Sequence, residues 1–130
     1  EDKERADRIL LLGLPSLSAD MYQQSALRTQ DAADSLGEAM VERYFAPAND
    51  PFVTATVLSE TIARLRGRRA ITNLYLSPLA TKAQALGFAL YHFTECSRAA
   101  ASIILPFSSS YSIESAAGVS RVWRFVVEKP

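Results

Sequence analysis

The chain has 130 residues, 48% of them hydrophobic and 22% charged, which suits one globular domain with a sizeable core and argues against disorder. Fourteen basic residues balance fourteen acidic ones, so bulk charge gives no attraction to nucleic acid or to an anionic membrane. The single cysteine, Cys96, excludes an intrachain disulfide and a cysteine-rich zinc site, and it points to a reducing, cytoplasmic setting.

From the N-terminus, Glu1-Asp2-Lys3-Glu4-Arg5 is charged and leads into only a short apolar run, unlike a signal peptide. No run anywhere approaches the roughly 20 apolar residues that span a bilayer. The first residue is not methionine, which suggests a processed chain or, as the favoured expectation, a single domain over residues 1–130 excised from a longer protein. The apolar run 8–14, closed by Gly13 and Pro15, predicts a strand buried on both faces, as in a parallel sheet. Ser18 can cap a helix over about 19–36 with a thin apolar stripe, and the helix resumes over 38–45. Asp50 followed by Pro51 predicts another helix start, with the acid at the N-cap and proline at the first helical position. Val53, Val57, Leu58, Ile62 and Leu65 keep a helical period up to a stop at Gly67. The arginines at 64, 66, 68 and 69 read as solvated cations around that helix end.

The stretch 71–93 organises the chain. Residues 71–76 are rich in β-branched and aromatic side chains and predict a central strand, with Asn73 in it needing a buried partner or a polar cavity. After the break Ser77-Pro78-Leu79-Ala80, a helix begins at Thr81, which with Gln84 has the spacing of a capping box. Lys82 then falls in the first helical turn, where the helix dipole disfavours a cation unless something anionic sits there. Gly87, with Ala83 and Ala80, forms a smooth strip for packing against the sheet. His92 and Cys96 share a helix face, a spacing that makes a Cys–His pair geometrically conceivable.

Residues 101–107 predict a third strand ending at Pro106, and the alternating run 122–128 a last, edge strand, with Trp123 as a core anchor. The resulting fold class is α/β: a Rossmann-like layered domain whose mostly parallel sheet has about four strands and flanking helices. The short final connection favours an antiparallel last strand. In such sheets ligands gather at the carboxyl ends of the strands. Those ends carry Ser16 and Ser18; Ser77, Thr81 and Lys82; and Ser108, Ser109, Ser110 and Tyr111. Hydroxyls and helix-start amides can donate to phosphate oxygens, Lys82 can neutralise charge, and Tyr111 can stack on a base. Serine is also common in loops for turn and capping reasons alone. There is no G-x-G-x-x-G, no Walker A loop and no metal-ligand spacing, and no cofactor is implied.

The run Asn73-Leu74-Tyr75-Leu76-Ser77-Pro78-Leu79-Ala80-Thr81-Lys82 before a small-residue helix resembles one signature of the CRISPR-associated Rossmann-fold (CARF) sensors. In those domains a strand bearing Asn leads to a Gly-Thr-Lys-type turn at a helix start, and residues 9–16 are similar to their other ligand-facing loop. The resemblance implies a homodimeric module of antiviral defence that binds a cyclic oligonucleotide between subunits and regulates an attached effector. Carried over by position, Ser16 is a first-loop contact, and Thr81 with Lys82 holds phosphate or ribose. Ala80 stands where that turn has glycine, and the matching stretches cover about a fifth of the chain.

The leading expectation is thus a sensor domain, not catalytic by itself, that recognises a nucleotide or other phosphorylated small molecule at its strand ends. A phosphoryl or nucleotidyl hydrolase, and a protein-interaction or dimerisation module without a small ligand, stand as alternatives.

Overall fold

The computed structural model describes residues 7–18, 21, 23, 27, 30–31, 42–96, 100–105, 107–110, 118–119 and 121–128. Their elements run β1 (Ile9–Gly13), β2 (Glu42–Ala46), α1 (Pro51–Arg68), β3 (Leu74–Leu76), α2 (Lys82–Glu95) and β4 (Ala101–Ile103). The class is α/β, as the sequence implies. The strands, however, form two small parallel sheets: β1 pairs with β2 from Ile9↔Glu42 to Gly13↔Ala46, and β3 pairs with β4 from Leu74↔Ala101 to Leu76↔Ile103.

Several expected elements come out differently. The resumed helix over 38–45 is replaced, in its described part, by β2. Tyr44 and Phe45 are aromatic residues that favour a pleated surface, and β1 offers them an edge. The last strand over 122–128 is irregular: Phe125 packs edge-on against Phe52 of α1 with ring centroids 6.3 Å apart, and no ladder is formed there. Trp123 is about half exposed, so it is no core anchor. The strands around 71–76 and 101–107 are shorter than their apolar runs, which leaves Asn73 exposed ahead of β3 and in no need of a buried partner. The strand over 8–14 is half-buried along its length, not buried on both faces. The expected helix over 19–36 lies largely outside the described residues; Gln23, Leu27, Gln30 and Asp31 within it are helical.

One core serves both sheets. Leu58 and Ile62 of α1, Leu76 of β3, Tyr91 of α2 and Cys96 are buried together, with Leu11 of β1 and Leu74, Ala101 and Ile103 packed around them. Each such aliphatic side chain contributes on the order of 1.5–3 kcal/mol by leaving water. The two helices lie side by side. Gly87 is the point of closest approach: a Cβ there would fall 2.6 Å from the Pro51 carbonyl oxygen and 2.6 Å from Thr54 Cβ. At Gly87 the expected smooth strip therefore meets α1 and not a sheet. Further along, the Ser59 hydroxyl donates to Glu95 Oε2 at 2.9 Å. Contacts thus advance from 51–54 to 59 on α1 as they advance from 87 to 95 on α2, so the helices run in the same direction and start at the same end.

Candidate functional site

The shared end of the helices is also where β1 and β2 finish. The Leu14 amide donates to the Ala46 carbonyl at 2.9 Å and the Ala48 amide to the Pro15 carbonyl at 3.0 Å, which ties the turns after the two strands together. Onto these turns the first turn of α2 docks. Thr81, extended at φ −78° and ψ 160° as an N-cap must be, accepts from the Gln84 amide at 3.2 Å and donates its own hydroxyl to the Ala48 carbonyl. Both hydrogen-bonding functions of Thr81 are used within the fold, so the structure gives it a docking role.

Gln84 departs from the capping-box expectation. Its side chain does not return to the cap residue. It crosses to β2, where Nε2 donates to the Ala46 carbonyl at 3.3 Å. A carbonyl accepts only, so the amino end of the side chain must face it and Oε1 must point away. Gln84 is 1% exposed, and among the described residues Oε1 meets no hydrogen-bond donor. Its neighbour is Gly13 at the end of β1, where a Cβ would sit 3.3 Å from that oxygen. The capping-box spacing announces a side chain at this position, but not that it turns toward another strand.

Lys82 is exposed at the first position of α2. The first-turn amides of Lys82 and Ala83 have no intrahelical carbonyl to meet, and α2 carries no acidic residue in that turn. An exposed lysine, helix-start amides without intrahelical carbonyls and a neutral cap thus share the first turn of α2, a composition that attracts an anion.

The expected serines divide. Ser16, after β1, is half-buried and donates to the Ser18 carbonyl at 3.1 Å, while Ser18 is exposed and its carbonyl accepts from the Met21 amide at 3.1 Å. Ser77 is exposed after β3. Ser108 donates to the Ser110 carbonyl at 2.6 Å in a local turn, and Ser108, Ser109 and Ser110 are all exposed. Tyr111 lies outside the described residues. Because β3 and β4 form their own sheet, the loops after them are not strand ends of the β1–β2 sheet, and it is α2 that carries Thr81 and Gln84 across to the turn and strand end of that sheet.

Other reactive groups are occupied elsewhere. His92 Nε2 lies 3.2 Å from the Ala101 carbonyl and carries the proton toward it. The Cys96 thiol is buried next to Tyr91, whose phenol is pushed well above its ordinary range by burial first and by its contact with Cys96 second. Of the basic cluster, Arg64 stacks over the Tyr44 ring at 5.8 Å, Arg68 lies 3.6 Å from Glu42 and Arg69 pairs with Asp7. Among the described residues no group of three His, Cys, Asp or Glu is placed to hold a metal ion, and no helix is long and apolar enough to cross a membrane. No family model, curated protein or solved structure matches the chain.

Proposed function

We propose that this chain is a ligand-binding sensor domain that takes a phosphorylated small molecule, a nucleotide among them, at the start of α2. The observation that carries the reading is the make-up of that first turn: Lys82 is exposed beside amides that have no intrahelical carbonyl, and the turn holds no acidic residue. An anion there satisfies the amides, offsets the lysine charge and complements the helix dipole. Thr81 positions the turn and does not touch the ligand. The reading carries with it a Rossmann-like arrangement, supported by parallel strands that end where two parallel helices begin. Regulation of an attached effector in a cytoplasmic protein is part of the same proposal. Of the serines, Ser16 and Ser77 remain candidates for the ligand's edge.

A thermal-shift screen of the chain and its Lys82→Ala variant against mononucleotides, dinucleotides and cyclic oligonucleotides tests this. Ligand at a hundredfold excess over its dissociation constant stabilises by about 2.7 kcal/mol. A shift present in the parent and lost in the variant is the expected result; no shift with any member of the panel sinks the reading.

A second reading, a homodimerisation module, is favoured by the irregular C-terminal run, where Val122 is 86% and Val126 65% exposed. Light scattering at micromolar concentration distinguishes it: a dimer that Val122→Glu with Val126→Glu dissociates supports it, and a monomer in the parent ends it. Hydrolysis has no comparable support, since His92 is engaged by the backbone of β4.

A further inference from the structure

The run 121–128 has the composition of a strand and belongs to neither sheet. Its exposure alternates: Val122 is 86% and Val126 65% exposed, against 52% for Trp123 and 49% for Val127. Phe125, the least exposed of the run, packs on Phe52 of α1. The odd-numbered side chains thus lean toward the body, and the even-numbered ones, Arg124 and Glu128 among them, point away from it. Backbone amides and carbonyls that belong to no ladder are open to a further strand. We infer that this further strand is the same run of a second copy of the chain, antiparallel and centred on Val126. The inference rests on the dimer reading above and gives it a register.

Charge selects both the partner and the register. In a two-fold symmetric antiparallel pair the axis passes between a residue and its own copy, so residues equally far on either side of it come opposite one another. The charged residues of the run are Arg121, Arg124 and Glu128. No residue lies midway between Arg121 and Glu128, so symmetry cannot pair them. Val126 lies midway between Arg124 and Glu128. A ladder centred there sets Arg124 against Glu128 at both ends, Val126 against Val126 in the middle, and Phe125 against Val127. Arg124, Val126 and Glu128 then share the outward face, and all three are exposed in the single copy. Centring on Arg124 sets two guanidiniums against each other, and a parallel pairing in register does the same and adds Glu128 against Glu128. Unlike charges directly opposite stabilise a ladder and like charges destabilise it. Within the run, one symmetric register pairs unlike charges, and a second copy supplies the complement.

Sedimentation of the full chain at micromolar concentration and low salt, alongside Arg124→Glu, Glu128→Arg and the variant carrying both exchanges, tests the register. The parent is expected to dimerise. Each single exchange sets like charges opposite at both ends and should raise the dimer dissociation constant roughly tenfold or more. The double exchange restores both unlike pairs and with them the parent's constant. An equimolar mixture of the two single variants should also dimerise, because one copy then brings two carboxylates and the other two guanidiniums. Both positions are exposed, so an unchanged Tm in every variant is the expected control. Single exchanges that weaken the dimer with no recovery in the double variant or the mixture overturn the pairing. A dimer that Val122→Glu with Val126→Glu dissociates, but that ignores the charge exchanges, overturns the register and leaves the dimer reading standing. A dimer indifferent to all of these changes lies on another surface and overturns both. A monomeric parent also overturns both and leaves the run to a partner of different sequence.

Discussion

The two helices begin at the same end of the molecule and close their first turns in opposite ways. At α1, Asp50 accepts from the Phe52 and Val53 amides, both at 3.0 Å, and Pro51 occupies the first position without an amide to satisfy. The start of that helix contains its own anion. At α2 the cap is Thr81, a neutral group that takes one amide, and the next residue is Lys82. The positive end of one dipole is thus neutralised internally, while the other is reinforced by a cation. Stability alone favours the α1 solution. The α2 solution is intelligible if the missing anion comes from outside, and that difference is what singles out the site.

The largest test of this comparison acts on the contact that holds the two starts together. Gly87→Ala places a methyl 2.6 Å from the Pro51 oxygen and Thr54 Cβ. It is expected to cost about 3 kcal/mol in urea unfolding, and a loss below about 0.5 kcal/mol would mean that the helices are not so closely packed. Next come the caps. Thr81→Ala removes a cap and leaves the buried Ala48 carbonyl without its donor, for about 2 kcal/mol, whereas Asp50→Ala loses the cap alone, for about 1 kcal/mol. Thr81→Ser should recover most of the first loss; equal costs for the two alanine variants would remove the docking role of Thr81. Smaller still, Lys82→Glu makes α2 resemble α1 and should raise stability by about 0.5 kcal/mol in low salt while abolishing nucleotide-induced thermal shifts. Retained shifts would exclude Lys82 from the site.

A last effect, seen only at alkaline pH, comes from Tyr91 at the other end of α2. Its phenol pKa is raised by burial, so the fold favours the protonated form. The associated stability is fully present below the ordinary tyrosine pKa near 10 and is lost as the pH climbs above it. Unfolding followed from pH 8 to 11 should show a decline that is weaker in Tyr91→Phe. Identical profiles would show that the decline comes from other groups.

Local signals in the sequence locate the helix starts well and the sheets poorly. Asp50-Pro51 and Thr81 act within a few residues of themselves, and both caps form where their chemistry places them. Helix ends are less clear: Gly67 does not stop α1, which continues to Arg68. The sheet depends on which apolar runs find each other across the chain. Glu42–Ala46 suits either a helix or, through Tyr44 and Phe45, a strand, and the edge of β1 settles it as a strand. Conversely, the alternating run 122–128 has strand composition but engages α1 through Phe125 instead. The sequence places Lys82 in the first turn of α2 and Thr81 at its cap, and both stand there. Gln84 was visible as a capping partner and not as a bridge to Ala46, because its target is 38 residues away. Placing Ser108, Ser109 and Ser110 beside it requires one continuous sheet, which the pairing of β3 with β4 alone does not provide.

The most direct test of the central claim is a comparison of backbone amide shifts at the two helix starts. Adenosine 5′-monophosphate is titrated into nitrogen-labelled protein at constant ionic strength. The account expects saturable shifts at Lys82, Ala83 and Gln84, with Phe52 and Val53 unmoved behind Asp50. Shifts absent from α2, or equal at both starts, would contradict it.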